Sequence, residues 1–308
     1  MRLALGLGAR GLGRVWPNPA VGCVIVKGGR VVGRGWTQPG GRPHAEAMAL
    51  AQAGAAARGA TAYVTLEPCD HHGQTPPCSQ ALVAAGVARV VVALGDPDPR
   101  VAGAGLARLR DAGIAVTEGV CAEAARTAHS GFLARVAQGR PALTLKLATS
   151  ADGRIATAAG ESRWITGPRA RRWVHGARAR HDAVLVGAGT ARADDPGLTV
   201  RDLGIDHQPV RVVLSRRLDL PRDSTLMRSA ADVPVWLCHG SAASGAARAA
   251  WEAAGARLIE VSAGPSGQLD LAAVMRALGD AGLTRVFCEG GGTLAAGLLA
   301  ADLVDSLA

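Results

Sequence analysis

The sequence predicts a two-domain α/β protein. Its 308 residues are long enough for two domains of ordinary size. Short β-branched apolar runs alternate with Ala-rich runs of helical length through both halves. Near the middle, Gly139-Arg140-Pro141 interrupts the chain where a long helical pattern ends, which divides it into residues 1–139 and 140–308.

In the first half, residues 3–13 read as a short helix ending in Gly11 and Gly13, and Pro17-Asn18-Pro19 is a turn that cannot continue it. The β-branched runs 21–26 and 30–36 flank Lys27-Gly28-Gly29, a hairpin pattern. Gly40 to Pro43 is a loop, 44–57 an Ala-rich helix and 61–66 a buried strand. Pro68 is expected to open a short helical stretch with Cys69 at its start, followed by a helix over 79–85. Strands at 87–94 and 114–118 alternate with helices at 103–112 and 121–137. In the second half a strand at 142–148 precedes a helix from Pro168 to about Arg180. Strands at 183–186, 209–214, 233–238 and 285–289 follow, with a helix at 243–254 and another after the last strand. The alternation implies mainly buried sheets covered by helices.

Composition narrows the function. A net charge of +9 invites a nucleic-acid reading, but the arginines are spread along the chain apart from Arg169, Arg171, Arg172, Arg178 and Arg180. One Tyr and two Phe leave few platforms for stacking bases. A basic surface serving phosphorylated small molecules is the better reading, with no nucleic acid as partner. No run approaches the roughly 18 apolar residues of a membrane helix, and the first residues lack the pattern of a secretory signal, so a cytoplasmic location and no membrane partner are expected. Six cysteines in such a setting are not a disulfide framework; Cys23, Cys121, Cys238 and Cys288 read as packed thiols.

Cys69 and Cys78 are different, because His44 and Glu46 keep them company. One His and two Cys offer three ligands suited to zinc and leave a fourth position for water. A Glu two residues after the His is placed to move protons. H-x-E followed by P-C is the signature expected of zinc deaminases. Between the cysteines lie Asp70 to Pro77, an eight-residue insert whose polar residues, His71 among them, can line a substrate pocket. In the second half, Gly187-Ala188-Gly189-Thr190 and Gly290-Gly291-Gly292-Thr293 each join a strand to a helix, the arrangement that offers backbone N–H groups to a phosphate. The second turn fits G-x-G-x-x-A, but it lies near the C-terminus and does not open a βαβ unit, so a Rossmann reading is rejected.

Pro17 to Gly22, His44-Ala45-Glu46, Glu67 to Cys78 and Gly95 to Gly105 together resemble the deaminase half of the bifunctional riboflavin-biosynthesis deaminase–reductase family. Asp152-Gly153-Arg154, Gly160 to Thr166, Val186 to Thr190, Ala193 to Arg201 and Glu289 to Gly292 resemble its reductase half. The resemblance implies a cytidine-deaminase-like three-layer domain followed by a dihydrofolate-reductase-like α/β domain. It implies zinc on His44, Cys69 and Cys78, proton transfer by Glu46, and Asn18 near the pyrimidine. It implies NADPH contacts at Ala148, Trp164, Thr190, Asp194, Ser215, Gly291, Gly292, Thr293, Leu294, Ala295, Ala296 and Gly297. Substrate contacts are implied at Ser162, Arg178, Leu198, Arg201 and Glu289, and Arg216 or Arg217 is a candidate partner for the 2′-phosphate of NADPH. Gln74 departs from the pattern, standing where the family often has Lys or Arg.

The activity so implied is zinc-dependent deamination of 2,5-diamino-6-(5-phosphoribosylamino)pyrimidin-4(3H)-one, then NADPH-dependent reduction of the ribosyl chain. The alternative is a deaminase with an inactive reductase half. The family's reductase domain runs on through further strands, so the sheet is expected to leave an edge unpaired after Ala308. A homo-oligomer is compatible with the sequence.

Overall fold

The computed structural model describes residues 1–71, 76–98, 102–162, 165–264 and 266–308. They divide into two units, Met1–Gln138 and Gly139–Ala308. No described helix is long and apolar enough to cross a membrane.

In the first unit, α1 (Arg2–Gly8) precedes the hairpin β1 (Gly22–Lys27) and β2 (Arg30–Trp36). Next come α2 (Ala45–Ala53), β3 (Thr61–Val64), α3 (Cys78–Ala84), β4 (Arg89–Val92), α4 (Ala104–Asp111), β5 (Ala115–Thr117) and α5 (Ala122–Gln138). The sheet runs β2-β1-β3-β4-β5, with β1 antiparallel to both neighbours and β3, β4 and β5 parallel. Its core gathers Ile25, Val64, Leu66, Leu82, Val90 and Leu109.

One contact decides where α2 lies. Ala45, Ala49 and Ala53 face the sheet and are buried, while β2 offers Gly33 and Gly35 beneath them. A Cβ at Gly35 would fall 2.0 Å from the carbonyl oxygen of Ala45, and one at Gly33 would fall 2.2 Å from that of Ala49. Helix and strand therefore touch backbone to backbone, which only small residues permit. The expected helix at Pro68 does not form. Among the described residues, 66–71 and 76–77 are loop, and Cys69 lies in the loop while Cys78 opens α3. The loop's polar groups are satisfied across the fold: Glu67 N–H donates to Leu94 O at 2.9 Å, and Ser79 N–H donates to Cys69 O at 3.2 Å.

The second unit contains β6 (Ala142–Leu145), α6 (Pro168–Ala179), β7 (Ala183–Gly187), α7 (Ala188–Asp194), β8 (Val210–Leu214) and α8 (Thr225–Arg228). It continues with β9 (Val235–His239), α9 (Gly245–Ala253), β10 (Arg257–Glu260), α10 (Leu271–Asp280), β11 (Arg285–Cys288), α11 (Gly292–Ala300) and β12 (Ser306–Leu307). The sheet order is β10-β9-β8-β7-β11-β6-β12, and every pairing is parallel. All five residues of β8 and of β9 are buried, as in a sheet covered on both faces. The sequence reading passed over β10, an edge strand with charged ends, and α10. The latter carries a plain start signal, since the Asp270 carboxylate accepts the N–H groups of Ala272 and Ala273. Ser306 and Leu307 pair with β6 and form that edge of the sheet.

A polar chain ties this edge to α6. Ser306 donates to Thr144 Oγ1 at 2.9 Å, and Thr144 Oγ1 lies 3.1 Å from His181 Nε2. His181 Nδ1 lies 2.7 Å from Ala177 O, so Nδ1–H donates and Nε2 accepts. Burial pushes the His181 pKa down to about 4. The native ring is therefore neutral, and an unfolded chain binds the extra proton below about pH 6.5. Stability should hold above pH 6.5 and fall by roughly 3 kcal/mol as the pH drops to about 4. Denaturant titrations of the wild type and of His181→Gln at pH 7 and 4.5 check this, with the variant losing less on acidification.

A second expectation concerns the α2 contact. Gly35→Ala should destabilise the first unit by about 1–3 kcal/mol or more, because backbone must move. Denaturant titration alongside zinc content measures it, with both expected to fall.

Candidate functional site

α2 starts where the chain leaves a turn. His44 is its N-cap residue, in extended conformation, and Glu46 lies in its first turn. The loop after β3 brings Cys69, and Cys78 is the first residue of α3. His44 Nδ1 lies 3.6 Å from Cys69 Sγ and 3.4 Å from Cys78 Sγ, and the three ligand atoms fall within 4.8 Å of one another. A tetrahedral zinc with bonds of 2.0–2.1 Å to nitrogen and 2.3 Å to sulfur needs an N···S edge of about 3.5 Å. The donor set and its spacing therefore fit zinc. Hydrogen bonding from Cys78 holds the Cys69 thiol down to about 4, with the His44 imidazole adding to the effect.

Glu46 is 3% exposed. Burial, aided by the charge on Cys69, pushes its carboxyl up to about 7, the range in which a group both takes and returns a proton at neutral pH. These residues open onto a cavity of about 310 Å³, a size that suits a small ligand. Asn18, Arg42, His71, Asp96, Asp98 and Arg135 share its wall. Asn18 Nδ2 donates to Gly41 O at 2.8 Å and so also holds the loop leading to His44. His71 Nδ1 is buried without a hydrogen-bond partner among the described residues. Gln74 lies outside the described residues.

Glu67 organises this wall, a role the sequence reading did not assign. Its Oε1 accepts N–H groups of Gly105 at 3.1 Å and Leu106 at 3.4 Å; its Oε2 accepts those of Asp96 and Gly103, both at 3.2 Å. A buried carboxylate at the start of α4 meets donors no helix can satisfy internally. Gly105 closes the contact, because a Cβ there would lie 2.0 Å from Pro68 O. The signal available was a charged residue immediately before the P-C pair.

In the second unit the residues implied for cofactor and substrate collect at the carboxyl ends of β6, β7, β8 and β11, the usual ligand edge of a parallel sheet. Ala148 follows β6, Thr190 lies in the first turn of α7 after β7, and Ser215 follows β8. A Cβ on Gly291 would lie 3.6 Å from Thr190 Oγ1, so the turns after β7 and β11 face each other. Gly292 and Thr293 belong to that second turn, and Leu294 folds back over Gly187 and Gly290. Three implied contacts turn elsewhere. Ala295 is buried in the core, Gly297 faces Leu271 of α10, and the Ser215 hydroxyl donates to Asp219 Oδ1 at 3.1 Å. Ala296, Asp194 and Ser162 are exposed, and Trp164 lies outside the described residues.

Arg178 and Glu289 meet directly. Arg178 Nε and Nη2 grip the two carboxylate oxygens of Glu289 at 2.5 and 3.0 Å, and Nη1 donates to Thr199 O at 2.8 Å. The fork expected to meet a sugar phosphate is thus committed to a half-buried ion pair. Arg201 remains exposed beside it. Leu198 has φ +53° and a side chain 3% exposed within the core, so it presents main chain to this site. His175 was missed. It lies one helical turn before Arg178, its Nδ1 is 3.1 Å from Thr199 O and 3.2 Å from Arg201 N, and burial lowers its pKa. Arg216 Nη1 donates to Gly267 O at 2.7 Å, while Arg217 is exposed.

Comparison with known proteins agrees with this layout. Residues 141–308 match the profile of the RibD C-terminal domain, and residues 1–94 match that of the cytidine and deoxycytidylate deaminase zinc-binding region. The chain is 44% identical to the riboflavin biosynthesis protein RibD of Escherichia coli over all of its own length and 85% of the relative's. The chain belongs to the RibD family. Among solved structures it is similar to RibD of Acinetobacter baumannii, at 42% identity and a TM-score of 0.88, covering 99% of this chain and 83% of that one. It is also similar to the diaminohydroxyphosphoribosylaminopyrimidine deaminase/5-amino-6-(5-phosphoribosylamino)uracil reductase of Thermotoga maritima. There the identity is 36% and the TM-score 0.86, covering 100% of this chain and 84% of that one. Family membership makes this a bifunctional chain with a zinc-binding deaminase region and an NADPH-dependent reductase region.

The Glu67 carboxylate generates a prediction. Glu67→Gln turns an amide donor toward N–H groups and should cost about 1–3 kcal/mol. Because Cys69 follows two residues later, zinc occupancy should fall with stability. Denaturant titration and metal analysis of the same preparation measure both.

Proposed function

We propose that the chain deaminates 2,5-diamino-6-(5-phosphoribosylamino)pyrimidin-4(3H)-one and then reduces the ribosyl chain of the product, giving 5-amino-6-(5-phosphoribitylamino)uracil. The observation that carries the reading is the convergence of His44, Cys69 and Cys78 beside a buried Glu46, in a family whose Thermotoga maritima member bears both activities in its name.

His44, Cys69 and Cys78 would hold zinc, which when bound would supply the Lewis acidity that makes water easier to deprotonate. Glu46 would take one proton from the attacking water and pass it to the ring nitrogen, then take the remaining hydroxyl proton and pass it to the amino group as that group leaves as ammonia, two cycles that its raised pKa suits. Asn18 and the unpartnered His71 Nδ1 face the pyrimidine and its substituents.

For the second step, NADPH supplies hydride. The facing turns at Thr190 and at Gly291, Gly292 and Thr293 cradle its phosphates through backbone N–H groups, with Leu294 as the apolar floor. Ala148, Asp194, Ser215, Ala295, Ala296 and Gly297 would complete the cofactor edge, those turned inward acting through main chain or packing. Exposed Arg217 would favour NADPH by pairing with its 2′-phosphate. Ser162, Arg201, the main chain of Leu198 and the Arg178–Glu289 pair hold the ribosyl substrate. His175 Nδ1 accepts the Arg201 N–H at 3.2 Å and so holds that segment against α6. A cytoplasmic location is part of this proposal, and the chemistry requires no nucleic acid or membrane.

Glu46→Gln tests the first step. The variant should bind zinc as the wild type does and lose ammonia release by roughly 100-fold or more; full turnover with normal zinc would sink the mechanism. NADPH oxidation by the wild type with the deaminated intermediate tests the second step. Its absence with intact zinc and ammonia release would reduce the chain to a deaminase.

A further inference from the structure

The proposed substrate carries a phosphate, and a dianion that leaves water for a pocket needs a cation in exchange. Among the described residues lining the deaminase pocket, the guanidinium groups belong to Arg42 and Arg135. Gln74 brings no charge. Asp96 and Asp98 line the same cavity. Asp98 is 7% exposed, and Asp96 Oδ1 accepts its backbone N–H at 2.9 Å. That acidic wall repels a phosphate and suits sugar hydroxyls.

The mounting of Arg42 separates it from Arg135. Its loop is pinned along its length. Gly40 N–H donates to Arg14 O and Gly41 N–H to Gln38 O, both at 2.9 Å, and Gln38 N–H donates to Pro43 O at 3.0 Å. Asn18 holds Gly41 O from the side, so closely that a Cβ on Gly41 would lie 2.3 Å from Asn18 Nδ2. Arg42 is in extended conformation two residues before His44, a span of at most about 7 Å. The backbone that carries this cation is therefore fixed relative to His44, and its side chain lines the same cavity. Arg135 projects from α5, one turn after Phe132.

We propose that Arg42 recognises the phosphate of the deaminase substrate and sets the preference of this pocket for a phosphorylated over a dephosphorylated pyrimidine. The inference rests on the deaminase reading above. A guanidinium fork supplies paired N–H donors with a charge that does not titrate, which matches phosphate oxygens. The pinned loop lowers the entropy lost when the fork closes on its ligand.

The test uses the zinc-loaded full chain. Ammonia release is measured on the phosphorylated substrate and on the same compound without its phosphate, for wild type, Arg42→Ala, Arg42→Lys and Arg135→Ala, with zinc content recorded for each. In Arg42→Ala the ratio of kcat/KM between the two compounds should fall roughly 10- to 100-fold, mainly through KM of the phosphorylated one. Competitive inhibition by inorganic phosphate should weaken with it, and Arg42→Lys should recover part of the ratio. A variant that slows both compounds equally, with the ratio intact, overturns the proposal by assigning Arg42 a structural role. A ratio that collapses in Arg135→Ala but stands in Arg42→Ala overturns it as well. Failure of the wild type to release ammonia from either compound refutes the deaminase reading, and the inference with it.

Discussion

The first unit depends on one convergence: an imidazole nitrogen and two sulfurs, from three separate stretches of chain, within 4.8 Å of one another. Each is held by something other than the metal it would bind. His44 caps α2, and α2 is fixed because its alanines rest on the glycines of β2. Cys78 opens α3, and Cys69 is drawn toward it by the Ser79 N–H on its carbonyl. Glu67 ties the Cys69 loop to the start of α4. A donor set held this way binds a metal with little reorganisation, and beside it the Glu46 carboxyl is buried, which raises its proton affinity.

The second unit follows a different rule. No titrating pair carries it. A fully parallel sheet places every β-to-α turn at one edge, so residues far apart in sequence, from Ala148 to Thr293, meet there by topology alone. A few fixed polar contacts brace that edge. The Arg178–Glu289 fork is one of them, tying α6 to the residue that follows β11. Arg211 does similar work in the interior: fully buried in β8, it donates to the carbonyl oxygens of Ser229 and Val233 and to Ser229 Oγ, which braces α8.

Much of this was legible in the residues. Strand and helix periodicity placed most elements within a few positions, and H-x-E with two cysteines named the metal ligands' chemistry before any geometry. Pro68 misled because a proline suits the first turn of a helix, yet here its neighbours bond across the fold rather than along the chain. Glu67 and His175 were hidden for another reason. Their partners are backbone groups 24 to 39 residues away, and local pattern carries no trace of such contacts. The roles of Ala295, Gly297 and Ser215 were blurred in the same way: a motif names a turn, but only packing decides which of its side chains face the ligand.

The convergence is open to direct measurement. Zinc K-edge X-ray absorption on the zinc-loaded chain should report one metal bound by one nitrogen at about 2.0–2.1 Å and two sulfurs at about 2.3 Å, with a light-atom fourth ligand from water. A first shell of four protein ligands, or a sulfur count other than two, would contradict the account.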